Sequence, residues 1–558
     1  MNLDKLIINF LKKGSFTKES LLQLKKEIAQ KGKNNFLRNS DILTAYKNLL
    51  KKRKVKKSKE FENLLQIRKI RSLSGVAPIA VLTKPYPCPG KCVYCPNQKD
   101  IPKSYLDDEP AVMRAKMCNF DPFKQVKLRL KQYKTTGHTP EKIELIVMGG
   151  TWSALPKDYQ IKFITDCYKT ANQQSKKAAK TPPRCHEVPP RRWREKEKLL
   201  KKEQKLNETA KYRIVGLTLE TRPDQINQKE IKLMRLFGCT RVEIGVQSIY
   251  DDILKKIKRG HNVETTIKAT KLLKDAGLKV CYHLMPNLPG SNPQKDLQMF
   301  KTVFSSEKFM PDMVKIYPCV ITKNTTLYKW YKKDKFKPYT DKQLIDLLIK
   351  IKKTVPPWVR INRLYRDIPA HHIVAGSKLS NLRQILQEKM KKENQKCLCI
   401  RCREIKQSLN TPRRCLYLAP PRWRIKLKTT KYKAGGGQEY FLQYVDSQNR
   451  LYALLRLRFP SYLFNNKKHF LPVLQNSAII REVHTFGKAL AIGERDTKIQ
   501  HQGLGKKLIK KAEQICRKKG IKKITVISGI GVRPYYKKLG YTLRNGYMIK
   551  YFPSDFFT

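Results

Sequence analysis

The stretch Cys88-Pro-Gly-Lys-Cys92-Val-Tyr-Cys95 decides how the first half of this chain is interpreted. It follows an apolar run at residues 77–82 that predicts a β-strand, so the cysteines lie in the loop after that strand. The spacing C-x3-C-x2-C lets one loop supply thiolates to three irons of an iron–sulfur cube. A structural zinc ion would need a fourth ligand, and the next cysteine, Cys118, is far downstream. We therefore predict a [4Fe–4S] cluster with one iron left open.

Further along the chain, short apolar runs alternate with amphipathic segments. The strands are predicted at residues 77–82, 143–148, 214–219, 242–246, 280–284 and 314–317, and the helices at 123–133, 228–237, 265–276 and 293–304. This alternation predicts an α/β fold with a parallel sheet, open or curled as a partial (β/α)6 barrel. Chemistry is then expected on loops at the carboxyl ends of the strands, where Met148-Gly149-Gly150 also lies. Two adjacent glycines alone would indicate no more than a turn.

A second α/β domain is predicted at residues 435–558, with strands at 451–457 and 524–528. The loop Gln500-His501-Gln502-Gly503-Leu504-Gly505 leads into a helix predicted at 506–517. Backbone N–H groups at such a helix start can hold a pyrophosphate, although a plain turn fits a glycine-rich loop equally well. Tyr535 and Tyr536 lie further downstream. In most proteins such a tyrosine pair packs in or at the edge of the hydrophobic core.

The cysteine loop resembles that of radical S-adenosylmethionine (SAM) enzymes, and the second glycine loop resembles that of GNAT acetyltransferases. Together they resemble the family of Elongator catalytic subunits, in its microbial single-chain form, which modify the wobble uridine of tRNA. The segments that carry the resemblance run from about residue 70 to 550: residues 74–85, 146–151, 220–224, 243–248, 366–369, 481–484, 500–505 and 526–529.

The resemblance implies functions for individual residues. Cys88, Cys92 and Cys95 would hold the cluster, the open iron would bind SAM, and Gly149 and Gly150 would hold its methionine part. The acetyl-CoA contacts would be Lys142, Glu482, Val483, His484, Thr485, Gln500, Gly503, Leu504, Gly505, Lys506 and Tyr536. Tyr535, Tyr536 and Lys142 would be catalytic.

The reaction implied by the resemblance joins the acetyl methyl carbon of acetyl-CoA to C5 of the wobble uridine. A deoxyadenosyl radical would abstract hydrogen from the methyl group, the resulting radical would add to the base, and thioester hydrolysis would release 5-carboxymethyluridine. The partners would be the anticodon loop of a tRNA and an electron donor of unknown identity. Two rival hypotheses are a protein lysine acetyltransferase whose cluster is structural, and an inactive tRNA-docking scaffold.

A second cysteine group, Cys397, Cys399 and Cys402, resembles the linker zinc site of microbial family members. Three ligands are visible, and a histidine or Cys415 could complete a tetrahedral site. The alternative is a set of unliganded thiols. We place this group in a linker at residues 376–434, between a radical SAM domain at 71–375 and the GNAT domain.

The charge of the chain is extreme, with 119 Lys and Arg against 45 Asp and Glu, a formal net charge of +74. This excess favours a polyphosphate partner such as tRNA, although a basic proteome would also produce it. Because 40% of residues are hydrophobic, wholesale disorder is not expected. Residues 1–70 are predicted to form a basic helical tRNA-binding region, where the run KKRKVKKS at 51–58 either contacts phosphates or is a solvated helix face.

Other features of the sequence carry less information. No apolar stretch is long enough to span a bilayer and no signal peptide is evident, so a cytoplasmic protein without membrane contact is expected. A homo-oligomer is possible. Two similar Pro-Arg-Trp segments, at residues 184–194 and 414–424, are interpreted as paired surface insertions.

Overall fold

A computed structural model describes the chain at residues 3–31, 37–67, 75–173, 192–405, 425–465, 467–486 and 503–553. Gln500, Cys415 and most of both Pro-Arg-Trp segments lie outside these residues. Within them, no helix combines the length and apolar character that a membrane crossing requires.

The first sheet has seven parallel strands in the order β1-β2-β3-β4-β5-β6-β8. It is curled as a half-barrel, as the sequence predicted. Its strands are β1 Val76–Leu82, β2 Lys142–Met148, β3 Arg213–Thr221, β4 Arg241–Gln247, β5 Lys279–Leu284, β6 Met313–Ile316 and β8 Arg360–Arg363. The first six confirm the predicted strands. β8 was not predicted, because its four residues bury a single apolar side chain, Ile361, and so form no apolar run.

Helices cover one face of this sheet and bury its apolar residues, among them Val81, Leu145 and Val242. The four predicted helices are confirmed. The helices of this region are Pro110–Lys116, Pro122–Thr135, Lys157–Gln173, Trp193–Asn207, Gln228–Leu236, Asp251–Lys256, Val263–Asp275, Pro293–Ser305, Thr326–Lys332, Asp341–Thr354, Leu382–Lys392 and Ile400–Arg403. Capping residues in the sequence explain where several of these helices begin. Asp121, for example, precedes the helix Pro122–Thr135, and its side chain accepts a hydrogen bond from the backbone N–H of Lys124. A short antiparallel pair, β7 Ile321–Thr322 and β9 Ile373–Ala375, lies apart from the barrel.

The second sheet also has seven strands, in the order β10-β11-β12-β13-β14-β16-β15. These strands are β10 Lys426–Ala434, β11 Gly437–Val445, β12 Leu451–Phe459, β13 Ser477–Thr485, β14 Lys523–Val526, β15 Thr542–Arg544 and β16 Tyr547–Tyr551. Neighbours are antiparallel except β13 and β14, which are parallel. The helix Leu504–Lys518 packs Leu508 and Ala512 on this sheet, and the short helix Arg533–Lys537 follows β14. The sheet begins at Lys426, earlier in the chain than residue 435.

Four helices precede the barrel: Leu3–Lys13, Lys18–Lys31, Asn39–Lys51 and Lys59–Leu65. They share a small core in which Tyr46 meets Phe61 edge-on at 5.1 Å. The helical prediction for this region is therefore confirmed at the described residues. The basic run at 51–58 is not a helix face, however: the helix ends at Lys51, and Lys52, Arg53 and Lys54 form an exposed turn in which Arg53 has φ 57°.

The two sheets are packed directly against each other. Gly529, after β14, lies so close to β3 that a Cβ atom there would overlap the carbonyl oxygen of Val215. Tyr547 of β16 donates a hydrogen bond to the carbonyl of Ala276 at 2.8 Å. Buried ion pairs also cross the interface, which fixes the position of one sheet against the other.

Candidate functional site

The cysteine loop lies at the carboxyl end of the half-barrel, directly after β1. Cys88 Sγ lies 3.5 Å from Thr151 Oγ1, which places it beside the loop that follows β2. Arg259 Nη1 donates to Cys92 Sγ at 3.4 Å and thereby ties the loop to the segment after β4. All three cysteines are partly exposed free thiols. Residues from three strand ends therefore surround this loop.

Two guanidinium groups make this loop electropositive. Burial by itself raises the pKa of the Cys92 thiol, but Arg259 and Arg222 outweigh it and hold the pKa below its usual value. Burial raises the pKa of Cys95 to about 11, with help from the negative charge of Cys92. Arg222 Nη1 is buried without a hydrogen-bond partner among the described residues. Positive charge beside thiolate ligands fits an anionic iron–sulfur cluster at Cys88, Cys92 and Cys95.

The predicted glycine-rich strand end lies beside the cysteine loop. Gly149 and Gly150 have φ of 134° and 90°, a backbone conformation that favours glycine. A Cβ atom on Gly149 would overlap Thr83 Oγ1, and that hydroxyl is itself buried without a partner among the described residues. Without side chains at Gly149 and Gly150, a ligand can approach the backbone closely, and the Thr83 hydroxyl could form a hydrogen bond with it. Both features fit the binding of an amino acid moiety such as that of SAM.

Below this loop, the inner face of the half-barrel carries charged groups. His283 Nε2 lies 3.0 Å from Glu243 Oε2, and Lys315 forms a short ion pair with the same carboxylate. The guanidinium group of Arg241 forms ion pairs with two carboxylates, Glu243 at 3.5 Å and Glu144 at 2.5 Å. Burial raises the pKa of Glu243, but Lys315, His283 and Arg241 outweigh this effect and keep it well below its usual value. The inner face of the half-barrel therefore carries a network of buried charges rather than an apolar core.

The sequence analysis did not identify these inner-face residues, although a signal was present. Glu243, His283 and Lys315 alternate with apolar residues along β4, β5 and β6. A parallel sheet covered on both faces has nearly continuous apolar strands, so polar residues with a period of two indicate a face turned toward a cavity.

Part of the predicted acetyl-CoA set, Val483, Thr485 and the helix start at Gly503 to Gly505, lies together in the second domain. Gly503 has φ 72° and caps the helix Leu504–Lys518, and the next residues supply the free N–H groups of its first turn. A Cβ atom on Gly505 would lie 3.6 Å from both Thr485 Cγ2 and the Tyr535 hydroxyl, and 3.9 Å from Val483 Cγ1. The helix start, β13 and Tyr535 therefore converge. N–H groups without a partner inside the helix, next to a tyrosine, fit a nucleotide thioester.

The two tyrosines differ in their surroundings. Tyr535 is 42% exposed and lies next to Gly505. Tyr536 is 6% exposed and packs in the hydrophobic core of the second domain, where its ring centroid lies 6.0 Å from that of Tyr541. Burial raises the pKa of both hydroxyls. Of the two, the structure brings Tyr535 closer to the helix start.

Glu482 connects this site to the half-barrel. Its carboxylate lies 3.4 Å from Lys279 Nζ at the start of β5, and 2.8 Å from Arg456 Nε. Burial raises its pKa, but these two cations outweigh burial and lower it strongly. The neighbouring His484 has a pKa lowered by burial. Glu482 therefore faces the amino end of the barrel, whereas Val483 and Thr485, on the other face of β13, lie beside Gly505.

The remaining predicted residues have different surroundings. Lys142 begins β2, opposite Arg213 of β3, and burial lowers its pKa. Within the described part of the chain it forms no ion pair with β13. Leu504 is buried in the helix and Lys506 is exposed, while Gln500 lies outside the described residues.

The second cysteine group converges. The Sγ atoms of Cys397, Cys399 and Cys402 lie within 4.8 Å of one another, on the turn that opens the helix Ile400–Arg403. Hydrogen bonds from the other two cysteines lower the pKa of Cys402, and Lys352 Nζ lies 3.6 Å from its sulfur. A thiolate stabilised in this way fits a zinc ligand.

Comparisons with known proteins agree with this architecture. The radical SAM superfamily model matches residues 86–303, a radical SAM C-terminal domain matches 311–392, and an acetyltransferase (GNAT) domain matches 496–546. A tRNA uridine(34) acetyltransferase from Methanocaldococcus infernus is 45% identical over 87% of this chain and 88% of its own length. Elongator complex protein 3 of Schizosaccharomyces pombe is 37% identical over 87% of both chains.

A solved structure has the same fold. It is the archaeal Elp3 of Methanocaldococcus infernus with an N-terminal deletion, which is 42% identical to this chain with a TM-score of 0.70. The match covers 86% of this chain and 100% of that one.

Proposed function

Because the chain belongs to the family of tRNA uridine(34) acetyltransferases and Elongator complex protein 3, we propose that it converts the wobble uridine of tRNA to 5-carboxymethyluridine, with acetyl-CoA and SAM as co-substrates. The observation that supports this proposal is that the two domains that carry the candidate cofactor sites are packed directly against each other. The cysteine loop lies at the carboxyl end of the half-barrel, and Glu482 of the acetyltransferase domain contacts its amino end.

The cysteine loop is the proposed cluster site. Cys88, Cys92 and Cys95 would hold a [4Fe–4S] cluster, which with SAM supplies radical chemistry when bound. Arg259 and Arg222 offset the negative charge of the thiolates. Gly149 and Gly150 leave room for the methionine part, and the Thr83 hydroxyl is available as its hydrogen-bond partner.

The acetyltransferase domain is the proposed acetyl-CoA site. The N–H groups of Leu504, Gly505 and Lys506 would bind the pyrophosphate at the helix start, and Gly503 would keep that approach open. Tyr535 lies at the side of this loop, where its hydroxyl can orient the thioester carbonyl. Glu482, Val483, His484 and Thr485 would also contribute to this site, with Glu482 on the side toward the barrel. The half-buried Lys142 is proposed to act beside them.

Two further parts of the proposal concern a metal and the RNA. Cys397, Cys399 and Cys402 would bind a zinc ion, and Lys352 of the helix Asp341–Thr354 donates to the Cys402 sulfur. The exposed basic turn at residues 51–57 would contact tRNA phosphates. The reaction also requires an electron donor, and a cytoplasmic location and a homo-oligomeric state stay predictions.

The experiment is anaerobic reconstitution of the full chain with iron, sulfide and a reductant, followed by incubation with SAM, acetyl-CoA and tRNA. Mass spectrometry of the tRNA nucleosides should detect 5-carboxymethyluridine when every component is present, and none when SAM or acetyl-CoA is omitted. Acetylation of lysines in basic peptides without SAM, together with unmodified tRNA, would favour a protein acetyltransferase. Binding of tRNA without either product would favour a docking scaffold.

A further inference from the structure

A cluster of two histidines and two aspartates shares no residue with either proposed cofactor site or with the second cysteine group. Asp107 and Asp108 belong to the loop before the helix Pro110–Lys116, and His371 and His372 belong to the turn before β9. His371 Nε2 lies 2.7 Å from Asp108 Oδ2, and His372 Nε2 lies 2.9 Å from Asp108 Oδ1. One carboxylate is thus shared by two imidazoles from consecutive residues.

We propose that Asp108, His371 and His372 form a zinc-binding site. One ligand atom from each of the three side chains lies within 4.8 Å of the other two. Around a tetrahedral zinc ion, bonds of about 2.0–2.2 Å to nitrogen and oxygen place the ligand atoms about 3.3 Å apart. The observed separations, 2.7 Å from His371 to Oδ2 of Asp108 and 2.9 Å from His372 to Oδ1, are shorter than this by about 0.4–0.6 Å. A small rotation of the exposed His371 and the half-buried Asp108 and His372 would open that space.

Charge also favours a cation here. The run Asp107-Asp108-Glu109 stands out in a chain with 119 basic and 45 acidic residues. Glu109 is paired with Arg366 at 3.2 Å, but no Lys or Arg among the described residues pairs with Asp107 or Asp108. Their two negative charges face imidazoles instead, and a neutral imidazole is a common ligand for zinc.

The positions of the histidines give a second argument. The two rings lie 4.4 Å apart between centroids, a separation at which two imidazolium cations would repel each other. A single divalent ion between neutral rings supplies the positive charge without that repulsion. Asp107 Oδ1, 3.9 Å from His372 Nε2, is placed to act as a fourth ligand or to hold a water molecule that does.

A zinc ion at this site would join two segments that border the cysteine loop. The loop at residues 96–109 continues from Cys95, and the segment at 366–375 follows β8. Arg366 already joins them through Ser104 and Glu109. The side chain of His371 is 71% exposed, so zinc reaches the site from solvent without unfolding the chain.

The test compares zinc binding to four full-length proteins: the parent, Asp108→Asn, the double variant His371→Gln with His372→Gln, and Asp100→Asn as the matched control. Asp100 is exposed in the same loop and outside the cluster, so its variant removes the same charge. Each chelator-treated protein is dialysed against buffered Zn2+ and its zinc is counted by elemental analysis. The parent and Asp100→Asn should hold one more zinc per chain than the other two, or bind it at least 10-fold more tightly.

Cobalt distinguishes this site from the cysteine group. Co2+ bound to thiolates gives strong charge-transfer absorption, whereas a nitrogen and oxygen site gives weak visible bands. Asp108→Asn should lose weak bands and keep the charge-transfer absorption. Equal zinc content and affinity in all four proteins, or a loss of charge-transfer absorption with the missing zinc, would overturn the proposal.

Discussion

Arg481 of β13 and Asp312, just before β6, form a two-pronged ion pair that joins the second sheet to the first. Arg481 Nη1 lies 2.9 Å from Asp312 Oδ1, and Nη2 lies 2.5 Å from Oδ2. Both side chains are buried, and Glu439 and Lys274 complete the charge balance around them. The geometry that places the acetyltransferase domain against the half-barrel therefore depends on a network of buried charges.

Replacing Asp312 with Asn should destabilise the protein by about 3–5 kcal/mol, because it leaves buried cations without their counter-charge. Thermal or denaturant unfolding measures the loss. Asp158→Asn is the matched control, since that carboxylate is 68% exposed in its ion pair with Lys196 and should contribute less than about 1 kcal/mol. Equal stability of the two variants would contradict a structural role for the buried pair.

The same variant should show a specific dependence on pH. Burial raises the pKa of Asp312, but Arg481, Lys274 and Arg456 outweigh it and lower the pKa far below its usual value. Such a carboxylate stabilises the fold above its unfolded pKa of about 3.9, and the contribution is lost as pH falls toward the folded value. The stability gap between parent and Asp312→Asn should therefore be constant near neutral pH and shrink below about pH 4. A gap that widens with acid would exclude this explanation.

Replacing Cys92 with Ala should remove one cluster ligand and abolish reductive cleavage of SAM. Iron and sulfide analysis after anaerobic reconstitution measures the cluster, and calorimetry with acetyl-CoA should give an unchanged affinity. Cys118→Ala is the control, because Cys118 is a buried thiol away from the loop. Retained SAM cleavage by the Cys92 variant would exclude this cysteine as a ligand.

Replacing Gly503 with Leu should weaken acetyl-CoA binding at least ~10-fold, which corresponds to about 1.4 kcal/mol. The leucine would obstruct the pyrophosphate at the helix start. Gly520, just after the end of the same helix, is the matched control, because its φ is 67° against 72° at Gly503. Among the described residues, no atom lies within 4 Å of a Cβ atom placed at either position. Both variants carry similar backbone strain, so a loss of affinity in Gly503→Leu alone would assign the effect to the ligand.

Replacing Lys51, Lys52, Lys54 and Lys56 with Gln should weaken tRNA binding and flatten its salt dependence. The slope of log affinity against log salt should fall by about 0.7–0.9 for each lost phosphate contact. As a control, Lys510, Lys511, Lys518 and Lys519 of the acetyltransferase domain are changed to Gln, which removes the same charge elsewhere. If the first variant kept the parent's slope of log affinity against log salt, the basic turn would make no phosphate contacts and would serve only to keep the protein soluble.

Replacing Cys399 with Ala should release zinc from the second cysteine group, as measured by the zinc content of the purified chain. Cys516→Ala is the control for loss of buried volume, because Cys516 is likewise buried but lies in the core of the second domain. If both variants hold as much zinc as the parent, the thiols carry no metal.

The sequence predicted the elements of the fold whose signal is local. Apolar runs identified β1 to β6, and glycines with positive φ marked the strand end at Gly149 and the helix start at Gly503. The sequence analysis did not predict β8, because Ile361 is the single buried apolar residue of that strand. The pairing of Arg481 with Asp312 and of His371 with Asp108 could not be predicted either, because each joins distant segments whose docking depends on the whole fold.

The contact between Gly529 and the carbonyl oxygen of Val215 restricts how the two domains can be exchanged between relatives. A transplanted acetyltransferase domain with any side chain at position 529 would collide with main-chain atoms of β3, which cannot rotate out of the way. A chimera that combines this half-barrel with another acetyltransferase domain should therefore have glycine at the position of Gly529. A domain swap in this chain therefore has to match a backbone surface, and no choice of side chains on the donor domain can substitute for that match.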